Sequence, residues 1–151
     1  MLLKPFARSL VGVDLSAGML KKAQARAIYD RLHEDEITRF MNGSPAAFDV
    51  VVSADTLCYF GDLVPVMQAA RRSLVPGGWL CFTVERAAEA DDYRINPHGR
   101  YSHARSYVEF ALEFSGFTAA QVDPAVLRLE AGVPVDGWVV RAQVESVGAH
   151  A

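Results

Sequence analysis

Phe48–Glu85 reads FDVVVSADTLCYFGDLVPVMQAARRSLVPGGWLCFTVE and has the pattern of a strand, a helix and a second strand. Near its start Val50, Val51 and Val52 form a β-branched run, which is typical of a strand buried on both faces. Residues 79–84 form a second apolar run, which predicts another strand. Because a crossover separates the two runs, we expect parallel strands joined by a right-handed connection.

The crossover carries the apolar period of a helix. The apolar positions, at i, i+3, i+4, i+7 and i+11, are Leu63, Val66, Met67, Ala70 and Leu74. Asp62 is placed to cap this helix, and Pro65 falls in its first turn, where a missing N–H costs little. Pro76-Gly77-Gly78 predicts a tight turn before the second strand.

The segments before this unit extend the alternation of strand and helix. Residues 10–13 predict a short strand that ends at Asp14, and Ser16 is placed to cap a helix running to about Asp30. Residues 33–41 predict a weak strand or acidic loop followed by a short helix.

The segments after the unit predict a loop, a helix and a hairpin. Residues 87–100 are polar and predict a surface loop. The next helix would begin at Ser102 or Ser106 and end at Gly116, and its apolar face would be Tyr107, Phe110, Ala111 and Phe114. Residues 117–130, interrupted by Pro124, and 138–144 predict antiparallel strands, and the proline indicates either a bulge or an edge position. The fold class is therefore α/β, a doubly wound, mostly parallel sheet with helices on both faces and an antiparallel C-terminal hairpin.

Length and composition indicate one domain of an intracellular protein. We expect a domain over residues 1–144 and a tail over 145–151 of the 151 residues. Fifteen Lys and Arg against eighteen Asp and Glu, without a basic block, argue against nucleic-acid binding, although local contacts to RNA or protein stay open. No apolar run approaches ~20 residues, which argues against a membrane span. Cys58 and Cys81 predict reduced thiols and no metal site, and we expect a cytoplasmic location.

Three strand ends carry residues suited to a ligand, because open α/β sheets bind ligands at the carboxyl ends of their strands. Asp14 has two acceptor oxygens that suit the vicinal hydroxyls of a ribose, or it caps the next helix. Glu36 and Ile37 suit an adenine, or they belong to a solvated acidic loop. After residue 53, Asp55 and Tyr59 would face a ligand, or they are a cap and a core aromatic.

These segments resemble the class I S-adenosylmethionine-dependent methyltransferases. The resemblance is carried by VGVDLSAGML followed by KKAQAR, by FDVVVSADTLCYFGDL and by RRSLVPGGWLCFTVE, and it extends from about Phe6 to Val144. It is closest to the small-molecule and protein-directed branch often found beside tetratricopeptide repeats. The resemblance implies a Rossmann-like fold, S-adenosylmethionine as cofactor, and methyl transfer to a small-molecule or protein acceptor that the sequence does not identify.

The resemblance also implies roles for residues near the adenosine. Asp14 would bind the ribose hydroxyls, with Leu15 packed on the adenosine and Met19 close by. Glu36 would meet the adenine amine, with Ile37 beside the ring.

Further residues would lie near the transferred methyl group. Ser53, Ala54 and Asp55 would line the methionine end of the cofactor, and Tyr59 and Phe60 would face the acceptor. Such enzymes depend largely on holding donor and nucleophile in line, so a dedicated base is not required.

The catalytic candidates are Asp55, Tyr59 and His103. His103 lies in GRYSHARSY beside Arg100 and Tyr101 and is the best candidate for an acceptor contact. A lone histidine at a helix start is more often structural.

One family feature does not occur in this sequence. The family's first strand ends in a GxGxG loop, and none of the eleven glycines forms that pattern. The segment LLKPFARSL resembles the end of the helix that follows the loop, so we expect the chain to begin inside the fold, with the first strand of the sheet missing. Weak or absent cofactor binding, impaired activity and self-association through unpaired strand edges are the corresponding hypotheses.

Two other functions stay open at this point. One is a non-catalytic interaction module with the same fold. The other is an NAD-binding α/β protein, since an acid after a strand also serves NAD. The NAD-binding alternative lacks the same glycine loop and leaves the GML and LVPGG segments unexplained.

Overall fold

The computed structural model describes residues 3–88 and 90–146 and confirms an α/β fold. The helices are α1 (Ala17–Ala25), α2 (Ile37–Asn42), α3 (Val64–Ser73) and α4 (Arg105–Phe114). The strands are β1 (Val11–Asp14), β2 (Arg31–Glu34), β3 (Phe48–Ser53), β4 (Leu74–Arg86), β5 (Tyr93–Ile95), β6 (Tyr101–His103), β7 (Phe117–Glu130) and β8 (Val133–Val144).

The strands form two sheets. β1 and β2 pair in parallel, and the other strands form a six-stranded sheet in the order β5-β6-β4-β8-β7, with β3 beside β4. β3 and β6 run parallel to β4, whereas β8 runs antiparallel to it. β7 and β8 form the expected antiparallel hairpin. Within the described residues β1 pairs only with β2 and β3 only with β4, so the two sheets are not joined by strand pairing.

One face of the larger sheet packs against α3 and α4 and forms the core. Leu80, Phe82 and Val84 of β4 alternate onto this face, as a strand's period of two requires. The predicted stripe of α3 is confirmed, and its members are each at most 2% exposed: Leu63, Val66, Met67, Ala70 and Leu74. Pro65 lies in the first turn of α3, as expected.

The expectation that the valine run of β3 is buried on both faces is wrong. Val50 and Val52 are 52% and 50% exposed. Their face of the sheet is the one opposite α3 and α4, and among the described strands β3 has a paired neighbour along one edge only. The β-branched run therefore predicts the strand correctly, but it does not predict on which faces the strand is buried.

Two helix predictions need correction. α1 ends at Ala25, short of Asp30, and the chain turns at Ala27, which has a φ of 51°. In α4 the buried residues are Tyr107, Val108, Ala111 and Leu112. Phe110 and Phe114, assigned to the buried face, are 54% and 62% exposed. The left-handed residue Gly116, with a φ of 80°, follows this helix as predicted.

Several turns and loops are more regular than predicted. Phe48 pairs with Leu74 and Val50 with Trp79, so the Pro76-Gly77-Gly78 turn is an irregularity inside the longer strand β4. The loop over 87–100 contains β5, which pairs antiparallel with β6. Pro124 lies within β7, the strand at one edge of the larger sheet, so the edge alternative is confirmed. The pairing of β7 with β8 also shifts on either side of it, between Thr118 and Gln121 and between Val126 and Arg128. In the described part of the chain no helix is long and apolar enough to cross a membrane. Residues 147–151 of the expected tail lie outside the described residues.

Candidate functional site

The first candidate segment follows β1. Asp14 ends the strand, and its Oδ1 accepts a hydrogen bond from the Ser16 backbone N–H at 2.7 Å. The Ser16 Oγ in turn accepts from the Met19 N–H at 3.3 Å and caps α1, as predicted. Leu15 and Met19 are 69% and 51% exposed, so two apolar side chains border the carboxylate on the surface. The cap of α1 is therefore Ser16 and not Asp14, and the contact with the Ser16 N–H occupies one of the two Asp14 oxygens.

The second candidate segment follows β2 and lies beside the first. The Asp35 N–H donates to the Asp14 carbonyl oxygen at 3.2 Å. The Glu36 carboxylate caps α2 and accepts from the Thr38 and Arg39 N–H groups, each at 2.8 Å. Burial opposes the charge on Glu36, but these N–H groups outweigh it and hold the pKa of this carboxyl below its usual value. Glu36 is thus a helix cap rather than part of a solvated acidic loop.

Neighbours also constrain the residues on either side of Glu36. The Arg39 Nε donates to the Asp35 Oδ1 at 2.6 Å and lowers the pKa of the Asp35 carboxyl. Ile37 is half-buried and packs against the core, so only part of its side chain faces outward.

The third candidate segment follows β3. The Ser53 Oγ is buried and has no hydrogen-bond partner among the described residues. Asp55 has a φ of 54°, a left-handed conformation that is uncommon outside glycine. Its backbone N–H donates to the Thr83 Oγ1 of β4 at 3.1 Å. An unpartnered hydroxyl and a strained residue two positions on are features that accumulate at ligand sites.

Four of the eight predicted cofactor residues line two small clefts, which have no lining residue in common. One, of about 190 Å³, contains Asp14 and Met19. The other, of about 170 Å³, contains Ser53 and Ala54 and is otherwise lined by apolar side chains and by Thr83. Ligand pockets usually measure roughly 300–1,000 Å³. The structure therefore places these four residues in two separate clefts, and the other four predicted cofactor residues line neither of them.

The aromatic residues after β3 separate into an exposed and a packed one. Tyr59 is 63% exposed, so the interpretation of Tyr59 as a core aromatic is wrong. Phe60 is partly buried against the core and is less accessible to an acceptor. Asp62 does support the start of α3, because its Oδ1 accepts from the Val64 N–H at 2.9 Å, although the cap position itself is Leu63.

His103 is a core residue. It is fully buried, and its Nε2 lies 3.0 Å from the Gly61 carbonyl oxygen. Its ring stacks on that of Tyr107 at 6.1 Å, and burial lowers its pKa. A side chain without exposure does not contact an acceptor, so the structure favours the structural interpretation over the catalytic one. Cys58 is buried and Cys81 half-buried, and both are free thiols whose pKa is raised by burial.

Sequence reasoning missed a group of ionic side chains beside Asp55. We call it the strand-end ion cluster, and its members are Asp55, Glu85, Arg100, Arg128 and Glu130. Glu85, at the carboxyl end of β4, is 4% exposed and accepts from both arginines through its Oε1. The only signal in the sequence is the Arg-Leu-Glu alternation of 128–130, which places two charges on one face of a strand. Nothing in that pattern indicates a contact with residue 55.

The methyltransferase domain family matches residues 1–82, more than half of the chain. The chain belongs to this family. In this methyltransferase domain the matched range includes all three strand-end segments. A ubiquinone biosynthesis O-methyltransferase of Paracidovorax citrulli is 34% identical over 88 residues, which are 54% of this chain and 37% of that relative. The chain therefore spans little more than a third of the curated relative that it matches.

Solved structures show the same fold for the larger part of the domain. A SAM-dependent methyltransferase from Methanosarcina mazei is 15% identical with a TM-score of 0.69, covering 91% of this chain and 82% of the other. The N-methyltransferase NodS from Bradyrhizobium japonicum, solved with S-adenosyl-L-homocysteine, is 19% identical with a TM-score of 0.69, covering 93% and 68%. The expected Rossmann-like methyltransferase fold is thus confirmed.

Proposed function

We propose that this domain takes part in S-adenosylmethionine-dependent methyl transfer to an acceptor not yet identified. The observation that carries the proposal is the family match over residues 1–82, which spans the strand ends bearing Asp14, Glu36 and Ser53. The acceptor chemistry differs among similar proteins, since one is named an O-methyltransferase and another an N-methyltransferase.

The residues at the strand ends fit parts of this cofactor. Only one carboxylate oxygen of Asp14 is used by the Ser16 N–H, and the exposed Leu15 and Met19 offer apolar surface beside the other. The unpartnered Ser53 Oγ offers a hydroxyl at the neighbouring strand end. When bound, the cofactor supplies an activated methyl group on a sulfonium. The role of the chain is to hold that group and the acceptor in line.

We further propose that this chain alone binds the cofactor weakly. Its 151 residues contain no GxGxG pattern, and the predicted cofactor residues do not share one cleft. The same observations favour the second candidate, a non-catalytic module with the methyltransferase fold. The NAD-binding alternative has no such support, because the matching family is one of methyltransferases.

A calorimetric titration with S-adenosylhomocysteine and, separately, with NAD tests the proposal. We expect binding of S-adenosylhomocysteine weaker than low micromolar and no binding of NAD. Asp14→Asn keeps an acceptor for the Ser16 N–H but removes one carboxylate oxygen, so it should weaken binding on the order of tenfold. Asp49→Asn, an exposed acid at the opposite end of β3 from Ser53, is the matched control and should change nothing.

The outcomes separate the alternatives. If wild type and Asp14→Asn bind S-adenosylhomocysteine with equal affinity, Asp14 does not contact the cofactor. Preferential binding of NAD would overturn the proposed function. A chimera that places a glycine-rich strand, loop and helix of a class I methyltransferase before Leu10 should bind S-adenosylhomocysteine more tightly than this chain does, if the missing glycine loop causes the weak binding. Formation of S-adenosylhomocysteine by this chimera with a range of acceptors would distinguish an enzyme from a module.

We also propose self-association and a cytoplasmic location. β3 carries Val50 and Val52 on an open face, and its second edge pairs with no described strand. Unpaired edges with apolar faces favour association between chains. The two free thiols support a reducing compartment.

A further inference from the structure

The strand-end ion cluster connects Asp55 to the C-terminal hairpin. Arg128 of β7 uses each nitrogen of its guanidinium for a different carboxylate. Its Nη1 contacts the Asp55 Oδ1 at 2.8 Å, its Nη2 the Glu85 Oε1 at 2.5 Å, and its Nε the Glu130 Oε1 at 2.8 Å. A planar fork with three fixed directions fits this arrangement, and a lysine ammonium does not reproduce it.

The second arginine fixes the centre of the cluster. The Arg100 Nε donates to the Glu85 Oε1 at 2.8 Å, and its Nη2 contacts Glu130. The His98 Nε2 lies 3.5 Å from the other Glu85 oxygen. The side chains of both arginines are only 20% exposed, which reduces screening by water and strengthens these contacts relative to surface ion pairs.

The backbone of the hairpin is shaped so that Arg128 reaches across β8. The pairing of β7 with β8 shifts between Val126 and Arg128, a bulge of the kind that re-aims a side chain. At Gly137 of β8, an added Cβ would lie 2.3 Å from the Leu127 Cδ1 and 2.5 Å from the Val84 carbonyl oxygen. The missing side chain at this position therefore lets β7 fold closely over β8 towards β4.

Asp55 is the only cluster member in a strained backbone conformation. Its φ of 54° is uncommon for a residue other than glycine, and its side chain is 57% exposed. Two contacts oppose its relaxation, namely the Thr83 hydroxyl at its N–H and the Arg128 guanidinium at its carboxylate. Strain of this kind persists when the surroundings over-determine the conformation.

We infer that Arg128 is a positioning residue, which holds the Asp55 carboxylate at the ligand-facing end of β3 from a hairpin 73 residues further along the chain. This inference rests on the proposed function, because it assumes that the end of β3 contacts the cofactor. It makes the C-terminal hairpin, which lies outside the family match, part of the site.

Two independent readouts of the whole chain test the inference. Hydrogen exchange of the Asp55 amide, followed by NMR without ligand, reports its position directly. We expect Arg128→Gln to accelerate this exchange at least tenfold, and Arg128→Lys to restore little of the protection. The matched control is Arg141→Gln, which removes an exposed arginine of the same hairpin bonded to Gln121, and it should change exchange by less than twofold.

The second readout is a cycle of affinities for S-adenosylhomocysteine. Arg128→Gln should weaken binding on the order of tenfold, as for loss of a charge-assisted hydrogen bond. In the Asp55→Asn background the same change should have less than a twofold effect. Equal effects in both backgrounds, or unchanged exchange at Asp55, would show a merely structural arginine and overturn the inference. If wild type binds no S-adenosylhomocysteine, the proposed function fails on its own, and the exchange measurement still decides the position of Asp55.

Discussion

Replacing Tyr107 with phenylalanine should destabilise the domain through two hydrogen bonds at one hydroxyl. The Tyr107 hydroxyl donates to the Asp62 Oδ1 at 2.8 Å and accepts from the Leu63 backbone N–H at 2.9 Å. Tyr107 is 7% exposed and Leu63 is fully buried. Burial raises the pKa of this tyrosine well above its ordinary value, so the hydroxyl keeps its proton and its donor role at any working pH.

The expected loss of stability in Tyr107→Phe depends on the two groups that lose their hydrogen-bond partner. Phenylalanine fills the same space, so no cavity term arises, but the buried Leu63 N–H loses its acceptor and Asp62 loses a donor. An unsatisfied buried amide costs about 1–3 kcal/mol, and Asp62, which is exposed, is rehydrated at little cost. We therefore expect a loss of about 2 kcal/mol in the free energy of unfolding, or about 4–8 °C in Tm for a chain of this size.

Urea unfolding followed by circular dichroism measures this change, with an unaltered m-value as the check that only stability has changed. Tyr59→Phe is the matched control, because Tyr59 is 63% exposed and its change should stay within 0.5 kcal/mol. A Tyr107→Phe variant as stable as the control would refute the reasoning, since it would mean that the Leu63 N–H finds another partner at no cost.

Three further outcomes are expected. Burial lowers the pKa of His103 below its ordinary value of about 6.5, so the unfolded chain binds a proton at higher pH than the folded chain. The free energy of unfolding should therefore fall between pH 7 and pH 5. His103→Gln should remove this part of the pH dependence, and an unchanged slope in the variant would contradict the prediction. Leu112→Ala should lower the free energy of unfolding by about 2–5 kcal/mol and Phe114→Ala by less than 0.5 kcal/mol, because of the two only Leu112 is buried. Thermal unfolding measures both, and similar losses would mean that Phe114 is buried as the sequence predicted. In light scattering, the mass of wild type should increase with concentration and that of Val52→Lys should not, and a concentration-independent wild-type monomer would contradict association through β3.

The elements with the strongest periodicity could be predicted from the sequence. The stripe of α3 is buried as its spacing requires, and Ser16 caps α1 through a local hydrogen bond. Local signals of this kind depend on neighbours in the chain, so the sequence contains them directly. The C-terminal hairpin could also be predicted, because its two strand-like segments follow each other in the chain, and Pro124 indicated a bulge or an edge.

The burial of individual faces was not predictable in the same way. A valine run such as that of β3 fits a strand with or without cover, and whether a helix lies on its second face depends on other parts of the sheet. The error in α4 has a similar origin. Phe110 and Phe114 are apolar at the spacing of a buried stripe, but the neighbouring Val108 and Leu112 face the core instead. The apolar periodicity of a helix predicts that one stripe is buried, but the packing of the helix on the sheet decides which of two adjacent apolar stripes that is.

The family match ends at residue 82, within β4, yet the physical domain does not divide there. Val108 and Ala111 of α4 and Val140 of β8 belong to the same core cluster as Met67 of α3 and Leu80 of β4. Residues 83–146 also supply both arginines that surround Glu85, and Arg128 reaches back to Asp55 in the matched half. A chain ending at residue 82 would expose the apolar face of β4, and Asp55 would lose its contact with the Arg128 guanidinium. Arg128 and the core residues of α4 and β8 therefore support the strand ends of the matched half, although the family match itself ends at residue 82.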